Sequence, residues 1–116
     1  MANVKPFRAV RPVRELAGNV AAHAYDVINR EEALLLARNN PHSFLKVEKS
    51  EINLPESVDP YSEEVYESAR DTLRAMIKTG IMIQDRTPCF YIYRQQKGQH
   101  AQSGIVGCGD IDDYES

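Results

Sequence analysis

The chain has 116 residues, of which 42% are hydrophobic and 27% charged, with a formal net charge of −3. Those values exclude a disordered tail and a collagen-like repeat, and no apolar run approaches the roughly 20 residues that a membrane-spanning helix needs. A chain of this size supports one sizeable core, so a single domain over residues 1–116 is expected.

The charge is unevenly placed. Lys5, Arg8, Arg11 and Arg14 occupy residues 1–14 without an acid, while Asp110, Asp112, Asp113 and Glu115 occupy residues 110–116 without a base. The net negative sum argues against a general nucleic-acid binder. Two cysteines are too few for a disulfide framework, and the N-terminus lacks the long apolar core of a secretory signal. A soluble cytoplasmic protein, with no membrane partner, is the expectation.

In chain order, Val4 to Val10 reads as an opening strand that Pro6 confines to an edge or a bulge. Pro12 suits the first position of a short helix over Val13 to Ala17, closed by Gly18. Ala21 to Ile28 reads as a loop that delivers Tyr25 and Asp26. Asn29 can cap a helix while Glu32 reaches back to it, and Asn39-Asn40-Pro41 ends that run. The apolar run Ala33 to Ala37 predicts a helix packed on more than one side.

Ser43 to Val47 reads as a short strand, followed by a polar connector from Glu48 to Asp59. The strongest pattern is a helix from about Pro60 to Thr79, where Val65, Ala69, Leu73, Met76 and Ile77 recur at helical spacing and Gly80 stops it. Ile81 to Ile83 is a brief apolar segment. Cys89 to Gln95 and Ser103 to Ile111 read as paired strands around a loop containing Gly98. The sum is an α+β fold with about three helices and a small mixed sheet, in the order β-α-α-β-α-β-β.

The segment Ala22-His23-Ala24-Tyr25-Asp26 places an imidazole, a phenol and a carboxylate just before a capped helix. Such a loop can bring a base and a hydrogen-bond donor to a ligand, or it can simply pack Tyr25 and satisfy local backbone donors through Asp26. Lys5, Arg8, Arg11 and Arg14 recur every third residue; an extended polyproline-like chain aligns them to hold phosphate, whereas a pleated strand disperses them.

Three other patterns lead to plainer readings. Gly104-x-x-Gly107-x-Gly109 lacks the lysine and hydroxyl of a phosphate loop and fits a close backbone approach better. Asp110-x-Asp112-Asp113 fits a hard cation, or a cap on a following turn. Cys89, His100 and Cys108 lack zinc spacing, and both cysteines are expected to be small buried residues, so no metal site is assigned. Phe90, Tyr91 and Tyr93 are expected to serve core packing rather than base stacking.

One family resemblance runs along nearly the whole chain. It rests on Val4-Lys5-Pro6-Phe7-Arg8-Ala9-Val10-Arg11-Pro12, Tyr25-Asp26-Val27-Ile28, Asn40-Pro41-His42-Ser43-Phe44-Leu45, Tyr91-Ile92-Tyr93-Arg94-Gln95 and Gly104-Ile105-Val106-Gly107-Cys108 with Asp113-Tyr114-Glu115. In these motifs the chain resembles the beginning of a bacterial family, domain of unknown function 1015. The family usually has two prolines before its Tyr-Asp-Val, where this chain has His23 and Ala24.

Members of that family are several hundred residues long, so the resemblance implies the N-terminal portion of a longer protein. The family is in turn distantly similar to the superfamily of chromosome-partitioning CTPases and free serine kinases. The resemblance therefore implies a nucleotide with Mg²⁺ as cofactor and a small hydroxylated substrate. In that reading Asp26 is the catalytic residue that orients or deprotonates a hydroxyl, Tyr25 and His23 contact substrate, and Arg8 meets phosphate. The alternative is a non-catalytic interaction or regulatory module that self-associates or binds a missing C-terminal portion. The residues leave open whether the protein is an enzyme.

Overall fold

The computed structural model describes residues 3–22, 24 and 26–114. In chain order the strands are β1 Val4–Lys5, β2 Val10–Pro12, β3 Met82–Gln84, β4 Tyr91–Lys97, β5 His100–Val106 and β6 Cys108–Gly109. The helices are α1 Ala17–Val20, α2 Arg30–Asn39, α3 Leu45–Glu48 and α4 Glu63–Lys78, with 3-10 turns at Arg14–Leu16, Ser50–Asn53 and Ile111–Tyr114. The fold is α+β, as the residue patterns indicate. No helix among the described residues is long and apolar enough to cross a membrane.

Two compact units divide the chain: Met1–Val10 with Gln84–Ser116, and Arg11–Ile83. The second is helical and holds every buried hydrophobic residue among those described: Val20, Ala33, Ala37, Leu45, Ile52, Val65, Met76 and Met82. Its centre is Leu45, packed with Ala33 and Ala37 of α2 and Ile52 of the following 3-10 turn. Burying an aliphatic side chain of that size contributes roughly 1.5–3 kcal/mol.

Helix ends are well specified. Asn29 Oδ1 accepts from Glu32 N at 2.8 Å and Asn29 N donates to Glu32 Oε1 at 3.1 Å, the reciprocal capping box that the sequence predicts for α2. Helix α4 closes with Gly80 N donating to the Ile77 carbonyl and Ile81 N to that of Met76, at 3.1 and 3.0 Å. Gly80 has φ +82°, the left-handed position that a Schellman end requires.

Several expectations need correction here. Ser43 to Val47 is not a strand: Phe44 N donates to Val20 O, and Val47, Glu48 and Lys49 then bond back to Phe44 and Leu45, so the alternating pattern winds into α3. The expected connector from Glu48 includes the 3-10 turn Ser50–Asn53. Gly18 lies inside α1 rather than ending a helix at Ala17. Helix α4 begins at Glu63, because Asp59 Oδ1 accepts from Tyr61 N at 2.9 Å and holds Asp59-Pro60-Tyr61 in a turn. In α2 only Ala33 and Ala37 are buried, while Leu35 and Leu36 are exposed, so the helix buries one narrow stripe.

The expected opening strand divides into β1, an isolated bridge at Phe7 and β2, with Pro6 between the first two. One mixed sheet is replaced by three two-stranded sheets, β1 with β6, β2 with β3 and β4 with β5. The β4–β5 hairpin is antiparallel, running from Tyr91 opposite Val106 to Lys97 opposite His100. Its two-residue turn starts at Gly98 with φ +60°, as a type II′ turn requires.

Candidate functional site

The candidate site lies in the helical unit. The loop before α2 brings Asp26, α3 brings Glu48, and the start of α4 brings Val65, Tyr66 and Ala69 around a cleft of about 470 Å³. Ile28, Val47, Lys49, Ser50, Glu51, Pro60 and Tyr61 complete its lining. This volume suits a small metabolite.

The walls are fixed by local bonds. Ser50 is buried and its Oγ donates to the Val65 carbonyl at 2.7 Å, tying the 3-10 turn to α4. Arg30 reaches from α2 with Nη1 on the Glu51 carbonyl at 3.0 Å and Nη2 on that of Leu54 at 2.8 Å. Asn53 Nδ2 donates to the Lys46 carbonyl at 2.8 Å and holds the end of the same turn against α3. Four side-chain-to-backbone hydrogen bonds of this kind leave the lining preorganised, which lowers the entropic cost of binding.

The electrostatics centre on Glu48. Its Oε1 is buried without a hydrogen-bond partner among the described residues. Burial first, and then the nearby Asp26 charge, raises the Glu48 carboxyl above its ordinary range. Lys49 pairs with Glu51 at 3.8 Å. The cleft therefore contains the carboxyl of Glu48, whose proton affinity is raised, and a second, exposed carboxyl group at Asp26.

Of the residues that the sequence singles out, Asp26 lines this cleft, while His23 and Tyr25 fall outside the described residues. Arg8 belongs to the β unit. There its Nε donates to the Asp85 carbonyl at 2.8 Å, and Gln84 Nε2 donates to the Arg8 carbonyl at 3.1 Å. Beside it the Tyr91 hydroxyl donates to Asp85 Oδ2 at 2.5 Å and accepts from Ala9 N at 3.0 Å. Loss of solvent and the bond to Asp85 raise the Tyr91 phenol, so this group is a structural tie rather than an activated base. Glu48, Tyr61 and Tyr66 were missed, Glu48 because a strand over Ser43 to Val47 leaves it in a connector.

The remaining candidates take their plainer readings or change them. Lys5, Arg8, Arg11 and Arg14 fall in β1, a strand gap, β2 and a 3-10 turn, so no continuous extended segment aligns all four. Gly107 marks a close approach, since an added Cβ would collide with the Val4 side chain and lie 3.1 Å from Phe90 Cε1. Asp110 Oδ1 accepts from Asp112 N at 3.0 Å and caps the turn that follows. Cys89 and Cys108 are free and exposed, not buried as expected, because both lie in short, open two-stranded pairings. Phe90 and Tyr93 are exposed as well, whereas the ring of Tyr91 lies 5.0 Å from that of Phe7. Among the described residues, no three His, Cys, Asp or Glu side chains cluster to hold a metal ion.

Comparison with protein families gives a match over residues 4–116 to the model described as protein of unknown function (DUF1015). Comparisons with curated proteins and with solved structures give no match.

Proposed function

The chain belongs to the DUF1015 family, and from that premise we propose that its helical unit supplies the acceptor site of a nucleotide-dependent phosphotransferase for a small hydroxylated molecule. The observation that carries this reading is the Asp26–Glu48 carboxyl pair in one preorganised cleft. Asp26 accepts the hydroxyl proton as the substrate oxygen bonds to the terminal phosphorus of the nucleotide. The bond from that phosphorus to the bridging oxygen breaks, and the shortened nucleotide leaves with the bonding pair. Glu48 stands beside Asp26 as a polar contact for the substrate, and Tyr61 and Tyr66 form the open aromatic rim.

The family resemblance implies a phosphate contact for Arg8 and a substrate contact for His23 and Tyr25, and those roles are kept here as proposals. Mg²⁺ travels with the nucleotide phosphates, which offer it the hard oxygens it prefers. A cytoplasmic setting follows from the need for nucleotide and is compatible with two free thiols.

Calorimetry with ATP, CTP and serine in the presence of Mg²⁺ tests the proposal. Binding of a nucleotide or serine, weakened at least tenfold by Asp26→Asn, is expected. Absence of binding at millimolar concentration overturns it. A second reading, a non-catalytic interaction or regulatory module, draws on the exposure of both faces of the β4–β5 hairpin.

A further inference from the structure

We propose that β5 is a self-association edge, along which two copies of this chain pair antiparallel to form a four-stranded sheet in the order β4-β5-β5-β4. The proposal concerns the β unit and stands independently of the carboxylate cleft. It begins from a deficit. None of the buried hydrophobic residues among those described lies in this unit. Ile92 and Ile105 sit directly opposite each other and are 80% and 79% exposed. A lone two-stranded hairpin is marginally stable in water, and a third strand or a packed face is what normally secures it.

Charge decides which edge is used. Strand β4 carries Arg94 at its centre and Lys97 near its end, so antiparallel self-pairing about its midpoint would set guanidinium against guanidinium. Strand β5 reads His-Ala-Gln-Ser-Gly-Ile-Val and contains no Lys, Arg, Asp, Glu or Pro. It lacks the devices by which edge strands normally repel a second copy. Among the described residues, no strand pairs with its outer side.

The register follows from the hairpin. A two-residue turn makes Lys97 and His100 the first bonded pair, and bonded pairs then alternate with open ones. The outward backbone groups of β5 are therefore those of Ala101, Ser103 and Ile105. A two-fold axis at Ser103 places Ala101 opposite Ile105 of the second copy. Ile92, Ile105 and Ala101 then form one apolar row across the sheet, and the isologous contact closes at two copies.

Sedimentation velocity and amide hydrogen exchange on the 116-residue chain, from micromolar to millimolar concentration, test this directly. A dimer is expected, with exchange at Ala101, Ser103 and Ile105 slowed by about tenfold or more at high concentration. Ile92, Arg94 and Gln96 on the outer side of β4 should not change. Ala101→Glu, which sets a carboxylate against Ile105 of the second copy, should leave a monomer with the hairpin intact. A monomer throughout, or slowing on β4 instead, overturns the proposal and assigns β5 to another occupant. So does an Ala101→Glu chain that still dimerises; should that variant fail to fold, wild-type exchange decides alone.

Discussion

Asp26 and Glu48 line the same cleft, and the Asp26 charge adds to burial in raising the proton affinity of Glu48. Neither group alone would mark a site. An exposed aspartate in a loop is ordinary, and a partly buried glutamate at the end of a single helical turn is commonly structural. The influence of Asp26 on Glu48 within one cleft is what separates them from the other acids of the chain, since perturbed carboxyl groups concentrate at functional sites.

That coupling has a pH signature in stability. The folded state binds the Glu48 proton more tightly than the unfolded chain, whose ordinary value is 4.5. Stability from this group is complete below that value and is lost as pH rises through the higher folded value. Glu48→Gln keeps the shape of the protonated form and removes the loss. It should raise the melting temperature at pH 7 by up to a few degrees and leave it unchanged well below the ordinary carboxyl range. Thermal denaturation at both pH values checks the sign.

The capping box of α2 offers a test of the scaffold. Asn29→Ala removes the acceptor for Glu32 N and frees the Glu32 side chain from its return bond. A loss of about 1 kcal/mol is expected in urea unfolding, with the slope unchanged. Because Asp26 lies three residues before the cap, ligand binding at the cleft should weaken in the same variant.

In the β unit, Gly104 and Gly107 should respond oppositely to alanine. An added Cβ at Gly104 meets nothing within 4 Å, whereas at Gly107 it collides with Val4 and crowds Phe90. Gly107→Ala is expected to cost about 1 kcal/mol or more and to loosen the β1–β6 pairing. Gly104→Ala should be neutral or slightly stabilising through the unfolded state. Urea titration of the two variants side by side separates them.

The parts of this molecule that were legible in its residues are those governed by local chemistry. Asn29 with Glu32, Gly80 after a helical repeat, and Gly98 between two strands each specify their structure through a few neighbouring atoms. Asp26 could be singled out because polar residues cluster beside it. Glu48 could not, because its meaning depends on α3, and α3 depends on the long-range bond from Phe44 N to Val20 O. The same lesson holds for the exposed Leu35 and Leu36, where the composition of α2 shows apolar residues but not which of them the core accepts. The division into three separate ribbons was equally hidden, since strand pairing is set by partners far apart in the chain.

The most direct test of the central claim is a carboxyl ¹³C NMR titration of Glu48 in the wild type and in Asp26→Asn. A wild-type midpoint above the ordinary 4.5, falling toward it when the Asp26 charge is removed, is the result that a shared site predicts. A Glu48 that titrates at the ordinary value, or one indifferent to Asp26→Asn, would contradict it.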